Sequence, residues 1–263
     1  MIASHSNSSI KQIRALRLRQ ERDRSRLFFV EGIRLVAEAI QLQVEIECCV
    51  VCPDLLKSRF AREIVQLARD RSVAIIEVTP VIFRGLSIRD GPQGLGAVIR
   101  QRWQSLEEVR PGEELCWVAL DGVQDPGNLG TVLRTSDAVG GAGVILLQQS
   151  TDPYDPSAVR ASMGAVFSQR VIRTSFDEFA EWKRRHHWYL TGTSGGAALD
   201  YQEISYPTPC LLLMGSEREG LSSEKQSLCD AVVSIPMAGR SDSLNLSVAT
   251  GVMLYEMFNQ SRR

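Results

Sequence analysis

The chain has 263 residues, is 44% hydrophobic and carries 30 Lys and Arg against 31 Asp and Glu, enough for one large domain or two ordinary ones with their own cores. No run approaches the roughly 20 uncharged apolar residues that span a bilayer, and the first residues lack the apolar stretch of a secretory signal, so no membrane association and a cytoplasmic location are expected. The formal charge of −1 hides a basic start: over 1–34, eight cations (Lys11, Arg14, Arg17, Arg19, Arg22, Arg24, Arg26 and Arg34) face three acids (Glu21, Asp23 and Glu31), a balance that attracts phosphates.

Ser8 and Ser9 can cap a helix through about Arg24, with Ile10, Ile13 and Leu16 on one side and arginines on the other. Residues 27–30 read as a strand, 32–41 as a helix on Ile33, Val36, Ala37 and Ile40, and 46–52 as a strand. A helix over 55–70 turns Leu56, Phe60, Ile64 and Leu67 inward, and 73–78 and 95–101 supply two more strands. This alternation predicts a small α/β domain over 1–103. A linker follows at 104–114, where charge rises and Pro111-Gly112 interrupts any regular element.

From 115 to 263 the alternation resumes at larger scale. Strands are expected at 116–120, 143–148, 169–172, 187–190, 210–214 and 231–235. Helices are expected at 129–139, 157–165, 176–185 and 223–228, before a closing apolar helix. Several of these strands are apolar at every residue, as in a parallel sheet covered on both faces. Cys49 and Cys52 have zinc-knuckle spacing, yet they would point to opposite faces of a strand and no second pair or His partner follows. His5, His186 and His187 show no metal or triad spacing either, so no metal and six buried reduced thiols are expected.

Three stretches stand out as candidate site loops. At 239–256, GRSDSLNLSVATGVMLYE, a polar turn runs into the closing helix: Ser243 can cap it, Leu244, Val248, Val252 and Tyr255 recur at helical steps, and Asn245 sits among the first helical positions. At 121–140, DGVQDPGNLGTVLRTSDAVG, and at 211–222, LLLMGSEREGLS, an apolar strand meets a Gly-rich turn and a helix. A nicotinamide enzyme is disfavoured, because GxGxxG does not follow the 116–120 strand and Gly140-Gly141-Ala142-Gly143 precedes a strand, not a helix.

In order and spacing these stretches, with Ile235-Pro236-Met237, resemble the three motifs of the SpoU/TrmH family of RNA ribose 2'-O-methyltransferases, over about 115–258. Leu246 and Ser136 stand where that family often has Val and Ala. In the N-terminal third, LFFVEGIRLVAE at 27–38 and Pro92-Gln93-Gly94 resemble the family's small ribosomal-protein-like RNA-binding domain. The resemblance implies a parallel α/β methyltransferase domain with a trefoil knot, and a homodimer packed through the closing helix and the helix after 120. It implies bound S-adenosylmethionine, lined by Thr193, Gly215, Ile235, Met237, Leu244 and Asn245, with glycine at 215 allowing close backbone approach.

Arg134, Asn128, Glu217, Ser243 and Asn245 would form the catalytic set. Arginine stays protonated, so Arg134 is read as clamping the phosphate beside the target ribose and stabilising charge on the 2'-oxygen, rather than as a base. Glu217 would orient Asn128 or Arg134, and Ser243 with Asn245 would hold the cofactor end and the ribose. Lys11, Arg14, Arg17 and Arg26, with Arg160 from the segment VRASMGAVF, would contact RNA phosphates. The extra N-terminal domain favours ribosomal over transfer RNA, with an antibiotic-resistance role left open. The rival reading is a non-catalytic RNA-binding assembly factor.

Overall fold

In the computed structural model, residues 1–110, 112 and 114–263 are described; Pro111, on which the expected interruption rests, lies outside the described residues. Two compact units emerge: Met1–Gln101 with Tyr154–Val159, and Arg102–Pro153 with Arg160–Arg263.

The first unit runs α1 (Ser8–Ala15), α2 (Arg19–Ser25), β1 (Leu27–Glu31), α3 (Ile33–Gln41), β2 (Ile46–Val51), α4 (Arg59–Asp70), β3 (Ala74–Glu77), α5 (Pro80–Leu86) and β4 (Leu95–Arg100). Its sheet is mixed, in the order β1-β4-β2-β3, with β2 and β3 parallel and β4 antiparallel to both neighbours. Period-two alternation gives the sheet two apolar faces. Cys48, Val50 and Val98 pack against Ile10 and Ile13 of α1 and Ile82 and Phe83 of α5. The buried residues of α3 and α4, among them Val36, Ile40, Ile64 and Val65, cover the other side.

Three expectations fail here for identifiable reasons. The single helix over 8–24 is two helices, with Asn7, not Ser8 or Ser9, accepting the first N–H groups of α1. Arg22, only 2% exposed, donates Nη1 to the Leu16 and Arg17 carbonyls at 2.9 Å each, satisfying acceptors that the break leaves without helical partners. The helix expected from 55 begins at Arg59, capped by Ser58, which rotates the buried stripe to Ala61, Ile64, Val65 and Ala68 and leaves Phe60 exposed. No helix was expected at α5, which starts on Pro80 at its first position, where a fixed φ and a missing N–H do no harm.

After β4 the chain runs β5 (Cys116–Asp121), α6 (Pro126–Ala138), β6 (Gly143–Leu147), α7 (Pro156–Ser162), α8 (Ala165–Ser168), β7 (Arg170–Thr174), α9 (Phe176–His186), β8 (Leu190–Thr193), β9 (Leu199–Asp200), β10 (Cys210–Met214), α10 (Ser223–Leu228), β11 (Ala231–Ser234) and α11 (Leu246–Ser261), all in the second unit except the 156–159 start of α7, which belongs to the first. Among the described residues the second unit's sheet has seven strands, all parallel, in the order β7-β6-β5-β10-β8-β11-β9. Every residue of β5, β6 and β10 is buried, as continuous apolar runs require.

The strand expected at 187–190 lies three residues later, because α9 continues to His186 and His187 closes it in the left-handed region at φ 54°. The helix expected over 157–165 divides at Met163 and Gly164, both at positive φ, into α7 and α8. α6 starts three residues early, on Pro126 with Asp125 as its cap.

All six cysteines are free and five are buried. Burial pushes the Cys48 thiol up to about 11 and those of Cys49, Cys210 and Cys229 up to about 12, from an ordinary 9.0. A raised folded value favours the neutral thiol, so this contribution to stability holds below pH 9 and is lost as pH climbs toward 12. At pH 8 the native protein should release no burst of thionitrobenzoate from Ellman's reagent, and six equivalents after denaturation in guanidinium; a fast native equivalent would contradict this burial.

Candidate active site

In the second unit a cavity of about 620 Å³ opens at the carboxyl ends of β8, β10 and β11. That volume is in the range of small-molecule sites, and parallel sheets bind ligands at this edge, where the strands hand over to loops. Thr193 and Ser194 leave β8, 214–221 leave β10, and 233–237 leave β11, while 242–246 lead into α11. The lining is part apolar, from Ile235, Leu244 and Leu246, and part backbone and hydroxyl.

Of the residues expected to line the cofactor site, Thr193, Gly215, Ile235, Met237 and Leu244 all border this cavity, and Asn245 does not. Ser243 and Glu217 border it as well; Asn128 and Arg134 do not. Gly215 also has a reason within the fold for being glycine. A Cβ there would overlap the Gly220 carbonyl carbon and lie 2.6 Å from the Leu221 nitrogen, so its absence lets the 215–221 loop fold back on itself.

Ser243 does not cap α11. Asn245 is the cap, its Oδ1 accepting from the Ser247 N–H at 2.9 Å and the Val248 N–H at 3.4 Å. Its Nδ2 donates to Asn128 Oδ1 at 3.0 Å, and Asn128 Nδ2 donates in turn to Glu217 Oε1 at 3.0 Å. Glu217 Oε2 accepts from the Gln124 N–H at 3.4 Å. Because an ionised carboxylate only accepts, Glu217 sets the orientation of the Asn128 amide, and Asn128 sets that of Asn245. One directed series of hydrogen bonds thus joins the α11 start, the first turn of α6 and the loop after β10.

Arg134 lies a turn and a half beyond Asn128 on α6, exposed, and among the described residues it has no hydrogen bond or ion pair. Glu217 therefore serves Asn128 and leaves the arginine alone. The stripe Leu244, Val248 and Tyr255 faces outward, 36%, 51% and 48% exposed, whereas Leu246, Thr250, Met253, Leu254 and Met257 are buried and α11 packs on α6. Among the described residues no His, Cys, Asp and Glu group has the makings of a metal site.

Sequence reasoning passed over Gln124, whose side chain donates to the Gly122 and Gln149 carbonyls and pins the loop that feeds α6. It also passed over the Lys225–Asp121 pair, 2.6 Å apart, which ties α10, just beyond the 215–221 loop, to the end of β5. A lysine and an aspartate 104 residues apart leave no local signal. Around the cavity mouth Glu217, Glu219 and Asp242 outnumber Arg218, so the lining favours a ligand with positive charge.

Known proteins resemble this chain in sequence and in fold. The sequence model of the SpoU rRNA Methylase family matches residues 116–255, and that of the MRM3-like substrate binding domain matches residues 7–97. The chain is similar to a 23S rRNA (uridine(2479)-2'-O)-methyltransferase of Streptomyces viridochromogenes, 31% identical over 249 residues, 92% of this chain and 86% of that one. It is 26% identical to the 23S rRNA (guanosine(2553)-2'-O)-methyltransferase RlmP of Bacillus subtilis (strain 168), over 97% of this chain and 98% of that one. Among solved structures, an AdoMet-bound rRNA methyltransferase from Sinorhizobium meliloti superposes with a TM-score of 0.89 at 37% identity, covering 98% of this chain and 97% of that one.

Asn245→Ala should lower stability in urea by about 1 to 2 kcal/mol through the lost cap. Combined with Glu217→Ala, it should show a coupling of about 0.5 kcal/mol in a double-mutant cycle, since both act through Asn128. Strict additivity would mean the hydrogen-bond series transmits nothing.

Proposed function

Because the chain belongs to the SpoU rRNA methylase family, we propose that it transfers a methyl group from S-adenosylmethionine to a ribose 2'-hydroxyl of RNA, with 23S-type ribosomal RNA as substrate. The observation that carries this is the cavity bordered by Thr193, Gly215, Ile235, Met237 and Leu244 at the carboxyl edge of an all-parallel sheet. Its size, its apolar walls and its acid-rich mouth fit a nucleoside bearing a sulfonium. Relatives that match this chain along nearly its whole length act on 23S rRNA, which favours ribosomal over transfer RNA. An assembly factor without activity is disfavoured by the intact Asn128, Arg134, Glu217, Ser243 and Asn245 set.

S-adenosylmethionine supplies a methyl group already activated on sulfur, so the protein's task is chiefly positioning. Glu217 and Asn128 hold Asn245 and thereby the α11 start, which keeps Ser243 and Leu244 at the cavity edge. Arg134, which has no side-chain partner among the described residues, clamps the phosphate beside the target ribose and stabilises negative charge developing on the 2'-oxygen, while phosphate or water accepts the proton.

The outward apolar face of α11, with Met237 beside the cavity, supports a homodimer in which α11 and α6 pack across a two-fold. Arg134 does not border its own cavity, so the dimer would present it to the partner's. A trefoil knot through the 190–260 region, a cytoplasmic location and a substrate-binding role for the first unit complete the reading. Lys11, Arg14, Arg17 and Arg26 are its RNA contacts, joined by Arg160 of the second unit.

In a transfer assay with methyl-labelled S-adenosylmethionine, protein-free 23S-type rRNA should be labelled and transfer RNA should not. Arg134→Ala should cut incorporation by about 100-fold or more, with cofactor affinity by calorimetry within a few fold of wild type. Full activity in that variant would end the assignment of Arg134, and no heat with S-adenosylmethionine would favour the assembly factor.

A further inference from the structure

Folding spends part of the positive charge of the first 34 residues on local pairs and burial. On α2, Arg24 pairs with Glu21 and Arg19 with Asp23, and Arg22 is buried beside Asp155. Of the other five cations, Lys11 and Arg14 lie on α1 and Arg17 just past its end, within residues 1–18 that hold no acid, while Arg26 follows α2 and Arg34 is on α3. The α1 helix packs with α5 over one face of the sheet. Residues 79–89, which span α5, hold Arg84 and Arg89 and again no acid.

The layer on the other face is close to neutral. α3 and α4 carry four cations against three acids, and Arg59 and Arg69 are paired with Glu63 and Glu77. Among the described residues Lys11, Arg84 and Arg89 are exposed and have no hydrogen bond or ion pair from their side chains. Arg17 Nη2 donates to the Gly85 and Ser87 carbonyls at 3.0 Å each, which holds the guanidinium against α5 while, among the described residues, Nε and Nη1 have no acceptor. An arginine held in place before its ligand arrives loses less rotamer freedom on binding. The same two segments carry Leu18, Val81 and Ile88, 63%, 62% and 48% exposed. Cations interleaved with aliphatic groups suit a polyanion whose unpaired sugars and bases offer flat apolar faces.

We infer that the α1–α5 layer is the surface with which this chain grips the RNA backbone, and that Arg84 of α5 and Arg89 just beyond it are RNA contacts alongside Lys11 and Arg17. The inference rests on the RNA methyltransferase reading above and adds which face of the first unit binds. The opposite, charge-balanced layer takes no part.

Filter binding of the full-length protein to protein-free 23S-type rRNA, over a series of potassium chloride concentrations, tests this. The Arg84→Ser/Arg89→Ser double variant should bind about tenfold more weakly and lower the slope of log affinity against log salt by about 2, one for each lost phosphate contact. Its KM for RNA should rise while kcat at saturating RNA, cofactor binding and Tm stay at wild-type values. An Arg34→Ser/Arg62→Ser control, one change on each helix of the other layer, should match wild type throughout. If wild type binds the RNA and the α5 double binds equally well, or the control loses as much, the inference is overturned. If wild type binds neither the RNA nor S-adenosylmethionine, it is the enzyme reading that fails, and the inference with it.

Discussion

A carboxylate that can only accept governs the order of the candidate site. Glu217, on the loop after β10, receives Asn128 from α6, and Asn128 receives Asn245 from the start of α11. Each amide has one donor end and one acceptor end, so the series has a single direction, from the N–H groups of a helix start to a negative charge. Elements distant along the chain are thereby held at one corner of the sheet. Side chains with free rotors would have to be gathered afresh for each turnover; these are gathered by folding.

That corner exists because the sheet of the second unit is parallel throughout. Its central strands are apolar on both faces and leave no room for polar chemistry within the layer. Polar residues are therefore confined to strand ends and the loops beyond them, and all the carboxyl ends lie on one edge. β10 enters between β5 and β8 although β8 precedes it in the chain, which brings the 215–221 loop between the loops of older neighbours. Gly215 lets that loop double back, and Lys225 on Asp121 fastens the helix that follows it.

Charge shows how little a composition window says before pairing is known. Eight cations near the N-terminus read as one basic segment, yet folding spends three of them inside α2 and its surroundings. Arg22 is the clearest case: a residue counted toward phosphate binding is buried, closing a helix break. Arg84 and Arg89, in a segment with no unusual composition, become part of the more positive layer of the first unit because α5 lies beside α1.

Apolar periodicity, Gly and Pro punctuation and three unusual polar turns were enough to establish an α/β chain, a parallel second half, most strands, and the loops at 121–128, 215–222 and 235–245. These signals are local, written within one turn or one strand. Short or capped elements escaped: α5, β9, the split at Leu16 to Leu18, and the start of α11, where Ser243 and Asn245 are both good caps and only packing selects Asn245. The direction in which α11 faces escaped for a similar reason, since it is apolar on two sides and α6 claims only one. Which polar groups meet, Asn245 with Asn128, Glu217 with Asn128 rather than Arg134, Lys225 with Asp121, was decided by tertiary structure alone, because such pairs span about 90 to 120 residues and hydrogen bonds reach only about 3 Å.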